Sequence, residues 1–84
     1  MKYFVYVLRS LVRERYYVGQ TDDLSDRLER HNGGRVKSTK AYRPWSLMYF
    51  ESYATRAEAM RREKELKSFK GTAKFLKLIG VAKW

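Results

Sequence analysis

Cysteine is absent from the 84 residues. That excludes disulfides, thiolate nucleophiles and cysteine-ligated zinc, and it fits a reducing compartment. Long apolar runs are missing too: none approaches the ~18 residues of a membrane-spanning helix. The opening stretch Tyr3-Phe4-Val5-Tyr6-Val7-Leu8 is short, carries two tyrosines and precedes no small-residue cleavage site, so it reads as a strand. These features place the chain in the cytoplasm, with no membrane partner. Histidine occurs once, which leaves no histidine cluster for a metal. Acids are scarce: nine Asp and Glu stand against 19 Lys and Arg, for a formal net charge of +10 and a pI near 10.1. Such an excess suits a polyanion, nucleic acid before an anionic membrane, against the plainer alternative of a solvated basic surface.

What is present suffices for one small domain, spanning 1–84. Apolar residues make up 44% and aromatic residues 15%, enough for a core without staples. Tyr3 to Arg9 is apolar on both alternating faces, which predicts a central strand covered on two sides. Arg15 to Gln20 predicts a second strand, with a hairpin between. Symmetry about Leu11-Val12 would set Tyr6 directly opposite Tyr17. Thr21, Asp22 and Asp23 then open a helix whose Leu24 and Leu28 form the buried stripe, with Arg27 and His31 on its flank. Asn32-Gly33-Gly34 ends it. Arg35 to Arg43 reads as a basic loop, and Trp45 to Ser52 as a third strand. Thr55-Arg56-Ala57-Glu58 is a capping box for a helix reaching about Lys70, and a last helix runs from about Thr72 to Ile79. The predicted order is ββαβαα, an α+β domain with a small, mainly antiparallel three-stranded sheet. There is no internal repeat or linker.

Several residues invite a chemical reading, each with a structural alternative. On the second long helix Ala59, Leu66 and, more laterally, Met60 and Phe69 form the apolar stripe, and Glu63 lies inside it. A carboxylate there is either ion-paired or a metal ligand. Arg27 either pairs with Asp23 or presents its guanidinium to a phosphate. His31 is a general base or a polar-edge residue. Tyr6 and Tyr17 are core aromatics or active phenols; a tyrosine base needs a cationic or metal neighbour, a part open to Arg27. Gly19 serves a turn or permits close approach of substrate. Arg35, Lys37, Lys40 and Arg43, and the later Lys67, Lys70, Lys74 and Lys77, track phosphates or form solvated faces.

In combination these residues resemble the GIY-YIG nuclease family over nearly the whole chain. The resemblance is to small free-standing members related to the nuclease domain of the excision-repair subunit UvrC. Phe4-Val5-Tyr6 matches the first family motif and Tyr17-Val18-Gly19 the second. Arg27 stands at the family's arginine and His31 where members carry His or Tyr. Glu63, in Arg61-Arg62-Glu63-Lys64-Glu65-Leu66-Lys67, matches the metal-binding glutamate. Ser38-Thr39-Lys40-Ala41-Tyr42-Arg43-Pro44-Trp45 looks typical of the small members. Phe4 replaces the family's first Gly, and Gln20 stands where several members have lysine.

The resemblance implies a metal-dependent endonuclease acting on DNA, in repair or recombination. Tyr6, Tyr17, Arg27, His31 and Glu63 would be catalytic, Glu63 would hold Mg²⁺ or Mn²⁺, and Gly19 would keep the site open. Arg35, Lys37, Lys40, Arg43, Lys67 and Lys70 would contact nucleic acid without reading sequence. RNA and a targeting protein stay open as partners, and no small-molecule organic cofactor is expected. The alternative is an inactive nucleic-acid-binding module of the same fold.

Overall fold

The computed structural model describes residues 2–80. Its elements are β1 (Tyr3–Ser10), β2 (Tyr16–Thr21), α1 (Leu24–Asn32), a 3-10 turn (Lys40–Tyr42), β3 (Trp45–Tyr53), α2 (Arg56–Ser68) and α3 (Ala73–Leu78). The strands form one antiparallel sheet in the order β2-β1-β3. The α+β class and the predicted order both hold.

β1 is central because both of its faces are apolar. Val5 and Val7 join Val18 of β2 against Ala59 and Leu66 of α2, with Phe75 and Ile79 closing that layer. Tyr6 and Leu8 point the other way, into a second cluster with Trp45, Tyr17, Leu24, Leu28 and Leu47. The sheet therefore separates two cores, one under α2 and α3 and one under α1 and the loop that follows it.

The hairpin differs from its predicted register. Tyr6 pairs with Gly19 and Leu8 with Tyr17, so the two phenols are diagonal neighbours rather than opposed. The loop is the cause. Ser10 N–H donates to the Arg15 carbonyl (3.0 Å). Ser10 Oγ accepts from the amides of Val12 (3.2 Å) and Arg13 (3.1 Å), which moves the symmetry point to Val12-Arg13. A two-residue shift equals one pleat repeat, so Tyr6 and Tyr17 remain on one face.

A second irregularity divides β3 between the cores. Val7 pairs with Tyr49 but Leu8 pairs with Leu47, so the register slips by one residue at Met48. Such a bulge reverses the facing of everything beyond it. Tyr49 and Tyr53 pack in the α2 layer, whereas Leu47 and Trp45 pack in the α1 layer. Trp45 is then clamped by the Asn32 side chain, whose Oδ1 accepts from Trp45 N (2.5 Å) and whose Nδ2 donates to Trp45 O (3.0 Å).

Both long helices start as their caps predict. Asp23 accepts from the amide of Asp26 (3.0 Å), and Thr55 from that of Glu58 (3.2 Å). Leu24 and Leu28 are only half-buried; the one fully buried residue of α1 is His31, which the sequence places on a flank. Met60 is 52% exposed and does not belong to the buried stripe of α2. Ala59 and Leu66 do, with Arg62 and Glu63 half-buried between them. After α2 the chain reverses through Gly71, whose φ of +86° suits a residue without Cβ.

Arg62 is tied to β3. Its guanidinium donates to both Glu51 oxygens (Nε 2.9 Å, Nη2 3.0 Å), and Tyr53 (2.6 Å) and Tyr49 donate to the same carboxylate. Burial alone would push the Glu51 carboxyl up, but the hydrogen bonds from Arg62, Tyr49 and Tyr53 outweigh it and hold it at about 2. A depression of that size corresponds to about 3 kcal/mol of stability, present above the unfolded carboxyl's 4.5 and lost as pH falls toward 2. Glu51→Gln should lower the urea midpoint at pH 7, and its deficit relative to wild type should shrink as both are titrated from pH 5 toward 2. An equal deficit at both ends of that range would exclude this assignment.

Candidate active site

Of the predicted site residues, Tyr6, Tyr17 and His31 meet on the α1 side of the sheet, where the charge of Arg27 reaches them. The register brings Tyr6 and Tyr17 to one face, with ring centroids 6.1 Å apart. His31 packs between them, 4.7 Å from the Tyr17 ring and 6.0 Å from that of Tyr6. The Tyr6 hydroxyl lies 3.0 Å from His31 Nε2, and His31 Nδ1 lies 2.8 Å from Thr39 Oγ1. Tyr6, His31 and Thr39 are each at most 2% exposed, whereas Tyr17 is half-buried and opens to a surface cleft.

Gly19 explains how the phenols fit. A Cβ at this position would lie 2.6 Å from the Tyr6 hydroxyl and 2.9 Å from Tyr17 Cε2. Both rings thus occupy the space a side chain would need. Next along β2, the side-chain amide oxygen Oε1 of Gln20 is buried with no hydrogen-bond partner among the described residues.

The charges converge on the same spot. Burial raises the Tyr6 phenol well above the ordinary tyrosine range; neighbouring Tyr17 and Glu63 push it further, and Arg27 pulls it back. Arg27 is thus a cationic neighbour of the phenol, but burial outweighs it and Tyr6 rests as a proton donor. Burial, with help from Arg27, lowers His31 to about 4, so its imidazole is neutral at pH 7. Arg27 forms no ion pair among the described residues. Its expected partner Asp23 caps α1, and the helix's salt bridge joins Arg30 to Asp26 (2.9 Å).

Glu63 comes from the helix covering the opposite face, yet its charge acts on Tyr6. Its carboxylate is 20% exposed and pairs with Lys67 Nζ at 2.8 Å. Lys67, itself half-exposed, is thus the counter-ion in the ion-pair alternative that the sequence left open for Glu63. No group of three His, Cys, Asp or Glu side chains lies together among the described residues, so these residues build no closed metal cage. One carboxylate whose counter-ion is a flexible, half-exposed lysine does fit a hard cation that retains several waters.

The remaining basic residues are spread over the surface. Arg35, Lys37, Lys40, Arg43 and Lys70 are all exposed. Lys70 shares a cleft of about 150 Å³ with Arg15, Tyr16, Tyr17, Tyr42 and Trp45. The Arg15 guanidinium stacks 4.8 Å above the Tyr42 ring. A larger cleft, about 260 Å³, lies between Tyr53 and α2, but it contains none of the predicted site residues, and its Arg62 is already paired with Glu51 and Glu65. The smaller cleft is the one that opens onto Tyr17 and Thr39.

Sequence reasoning missed Thr39 and Arg15. The expected loop contains a 3-10 turn and a buried threonine. The Thr39 carbonyl accepts from Trp45 Nε1 (3.0 Å), which draws it inward. The signals for Thr39 in the sequence were its place beside Ser38 between two lysines and within the stretch typical of the small members.

A hairpin presenting paired phenols, a helix presenting Arg and His and a second helix presenting Glu define a small α+β nuclease-type domain. The comparisons agree. The family profile described as "GIY-YIG catalytic domain" matches residues 2–75, and the chain belongs to that family. A UPF0213 protein of Staphylococcus haemolyticus is 39% identical over 79 residues, covering 93% of this chain and 94% of the relative. One from Staphylococcus aureus is 40% identical over 68 residues, covering 80% and 82%. The solution NMR structure of a UPF0213 protein from Bacillus halodurans superposes with a TM-score of 0.59 at 29% identity, over 96% of this chain and 85% of that one. The family is one of nucleases that in general depend on a divalent metal.

Two outcomes test this geometry without reference to activity. The single histidine should titrate by NMR near pH 4 rather than 6.5. Between those values the unfolded chain takes up a proton that folded His31 refuses, so stability should fall as pH drops through that window. Gly19→Ala should displace Tyr6 from His31, cost about 1–3 kcal/mol in urea unfolding, and move the His31 titration upward. A variant with unchanged stability and titration would show that the rings do not need that space.

Proposed function

We propose that the protein is a metal-dependent DNA endonuclease in which Tyr6 is the base and His31 the acceptor of its proton. The observation that carries this reading is the 3.0 Å contact between a high-pKa phenol and a neutral imidazole nitrogen. A protonated tyrosine cannot abstract a proton unless it gives one away. As the attacking water loses its proton to the Tyr6 oxygen, the phenol proton passes to His31 Nε2. Tyr17, open to the cleft, orients that water against the phosphate.

Arg27, without an internal carboxylate, neutralises charge growing on the phosphoryl oxygens; removing such a group costs about 10²–10³ in kcat. Glu63 would hold the divalent cation, Mg²⁺ or Mn²⁺, in place of its half-exposed counter-ion Lys67. When bound, that ion supplies charge stabilisation to the phosphate and leaving oxygen. Arg35, Lys37, Lys40, Arg43 and Lys70, with Arg15, hold the backbone through charge, so binding is steeply salt-dependent and sequence-tolerant. A role in DNA repair or recombination in the cytoplasm is the setting that this chemistry and charge suit.

The net charge of +10 also supports a second reading, a binding module that does not cut. Nicking of supercoiled and branched DNA with Mg²⁺ or Mn²⁺ separates the two. Wild type should cut, while Arg27→Ala, Glu63→Ala and Tyr6→Phe should each lose about 10²-fold or more and retain DNA binding. Cutting that persists in all three variants, or is absent from wild type, would leave the binding module.

A further inference from the structure

We infer that Thr39 is a positioning residue: it fixes the proton of neutral His31 on Nδ1, so that the Nε2 lone pair faces the Tyr6 hydroxyl. A neutral imidazole has one N–H and one bare nitrogen, and the bond made by one nitrogen decides the state of the other. His31 has a single hydrogen-bond partner on each side, the Tyr6 phenol at Nε2 (3.0 Å) and the Thr39 hydroxyl at Nδ1 (2.8 Å). The ring is 1% exposed, so water does not stand in for either.

Two donor–acceptor arrangements satisfy a hydroxyl–imidazole–hydroxyl chain, running in opposite directions. The surroundings favour one. The Thr39 hydroxyl has a second partner, the Val36 carbonyl at 3.3 Å, which can only accept. With its proton on that carbonyl, Thr39 Oγ1 is free to accept from His31 Nδ1–H. Tyr6 then donates to Nε2, which gives the buried phenol proton an acceptor. Reversing the chain would turn the Thr39 proton away from the Val36 carbonyl and make the phenol oxygen an acceptor, its own proton then left to the neighbouring Tyr17 hydroxyl.

The geometry of Thr39 is itself fixed. Its amide donates to Val36 O (3.1 Å), and its carbonyl accepts from Tyr42 N (3.1 Å) and from the buried indole of Trp45 (3.0 Å). Trp45 is in turn gripped by Asn32, one residue after His31. The hydroxyl thus belongs to a small closed frame that includes the helix turn carrying the histidine.

This inference rests on the proposed passage of the Tyr6 proton to His31 for its catalytic meaning, but the tautomer can be read without any activity. Imidazole ¹⁵N NMR of the selectively labelled wild-type protein at pH 7 should show a protonated Nδ1 and a bare Nε2. In Thr39→Val, which keeps the shape and removes the acceptor, the Nε2–H form should become the major one. In the nicking assay kcat should fall about 10-fold or more with KM within twofold, and Thr39→Ser should restore both tautomer and rate. A wild-type imidazole protonated at Nε2 overturns the proposal even if the valine variant does not fold, as does a folded valine variant with unaltered tautomer and rate. A wild type that shows the Nδ1–H tautomer, loses it in Thr39→Val and never cuts DNA would uphold the role of Thr39 and reject the nuclease reading alone.

Discussion

Burying a polar group without a partner costs more than a single hydrogen bond returns, and this domain buries three together. Tyr6, His31 and Thr39 meet on one side of the central strand, each closed to solvent. Their mutual hydrogen bonds account for several otherwise unrelated features. They explain why a histidine, rather than a leucine, is the most buried residue of α1. They explain why the segment after α1 folds inward at Thr39 although its neighbours are cationic. They also require Gly19, because the phenol that reaches His31 lies where a β-carbon would be. A low-dielectric pocket strengthens these bonds, and it also keeps the phenol protonated and the imidazole neutral at rest.

The two cores divide the work. Under α2 and α3, aliphatic and aromatic packing on Val5, Val7 and Val18 supplies the apolar burial of an ordinary small domain. Its half-buried charge cluster, Glu51 with Arg62 and two tyrosines, is hydrogen-bonded throughout and pins α2 to β3. That pin sets the rotation of α2, and Glu63 is the residue after Arg62. The α1 side is poorer in aliphatic side chains and richer in rings and hydroxyls, as expected where polar chemistry must be held in place.

Much of this was legible in the chain. The double apolar face of β1, the caps at Asp23 and Thr55, and the extent of the last two helices are local signals, and each appears close to where it was read. The site was legible in part. Glu63 stood out as an acid on an apolar stripe, and Tyr6 and Tyr17 share a face under any even register. What could not be read was non-local. His31 is inside because Thr39 and Tyr6 give it partners, a fact no helical wheel contains. Arg62 had no role readable in the sequence, because its partner Glu51 comes across from β3. Lys67 and Arg27 exchanged expectations: the lysine counted as free is paired, and the arginine suspected of pairing is not.

The slip at Met48 has a consequence for how such a chain can vary. Because one extra residue in β3 sends Trp45 and Leu47 to one layer and Tyr49 and Tyr53 to the other, strand length here is a coded quantity, not a tolerance. Removing a single residue near Met48 would leave every side chain chemically intact and still turn either the indole or the Glu51 anchor toward the wrong layer. Relatives with an unbulged third strand would have to rebuild the support beneath the histidine by other means. Loop lengths elsewhere face no comparable parity rule.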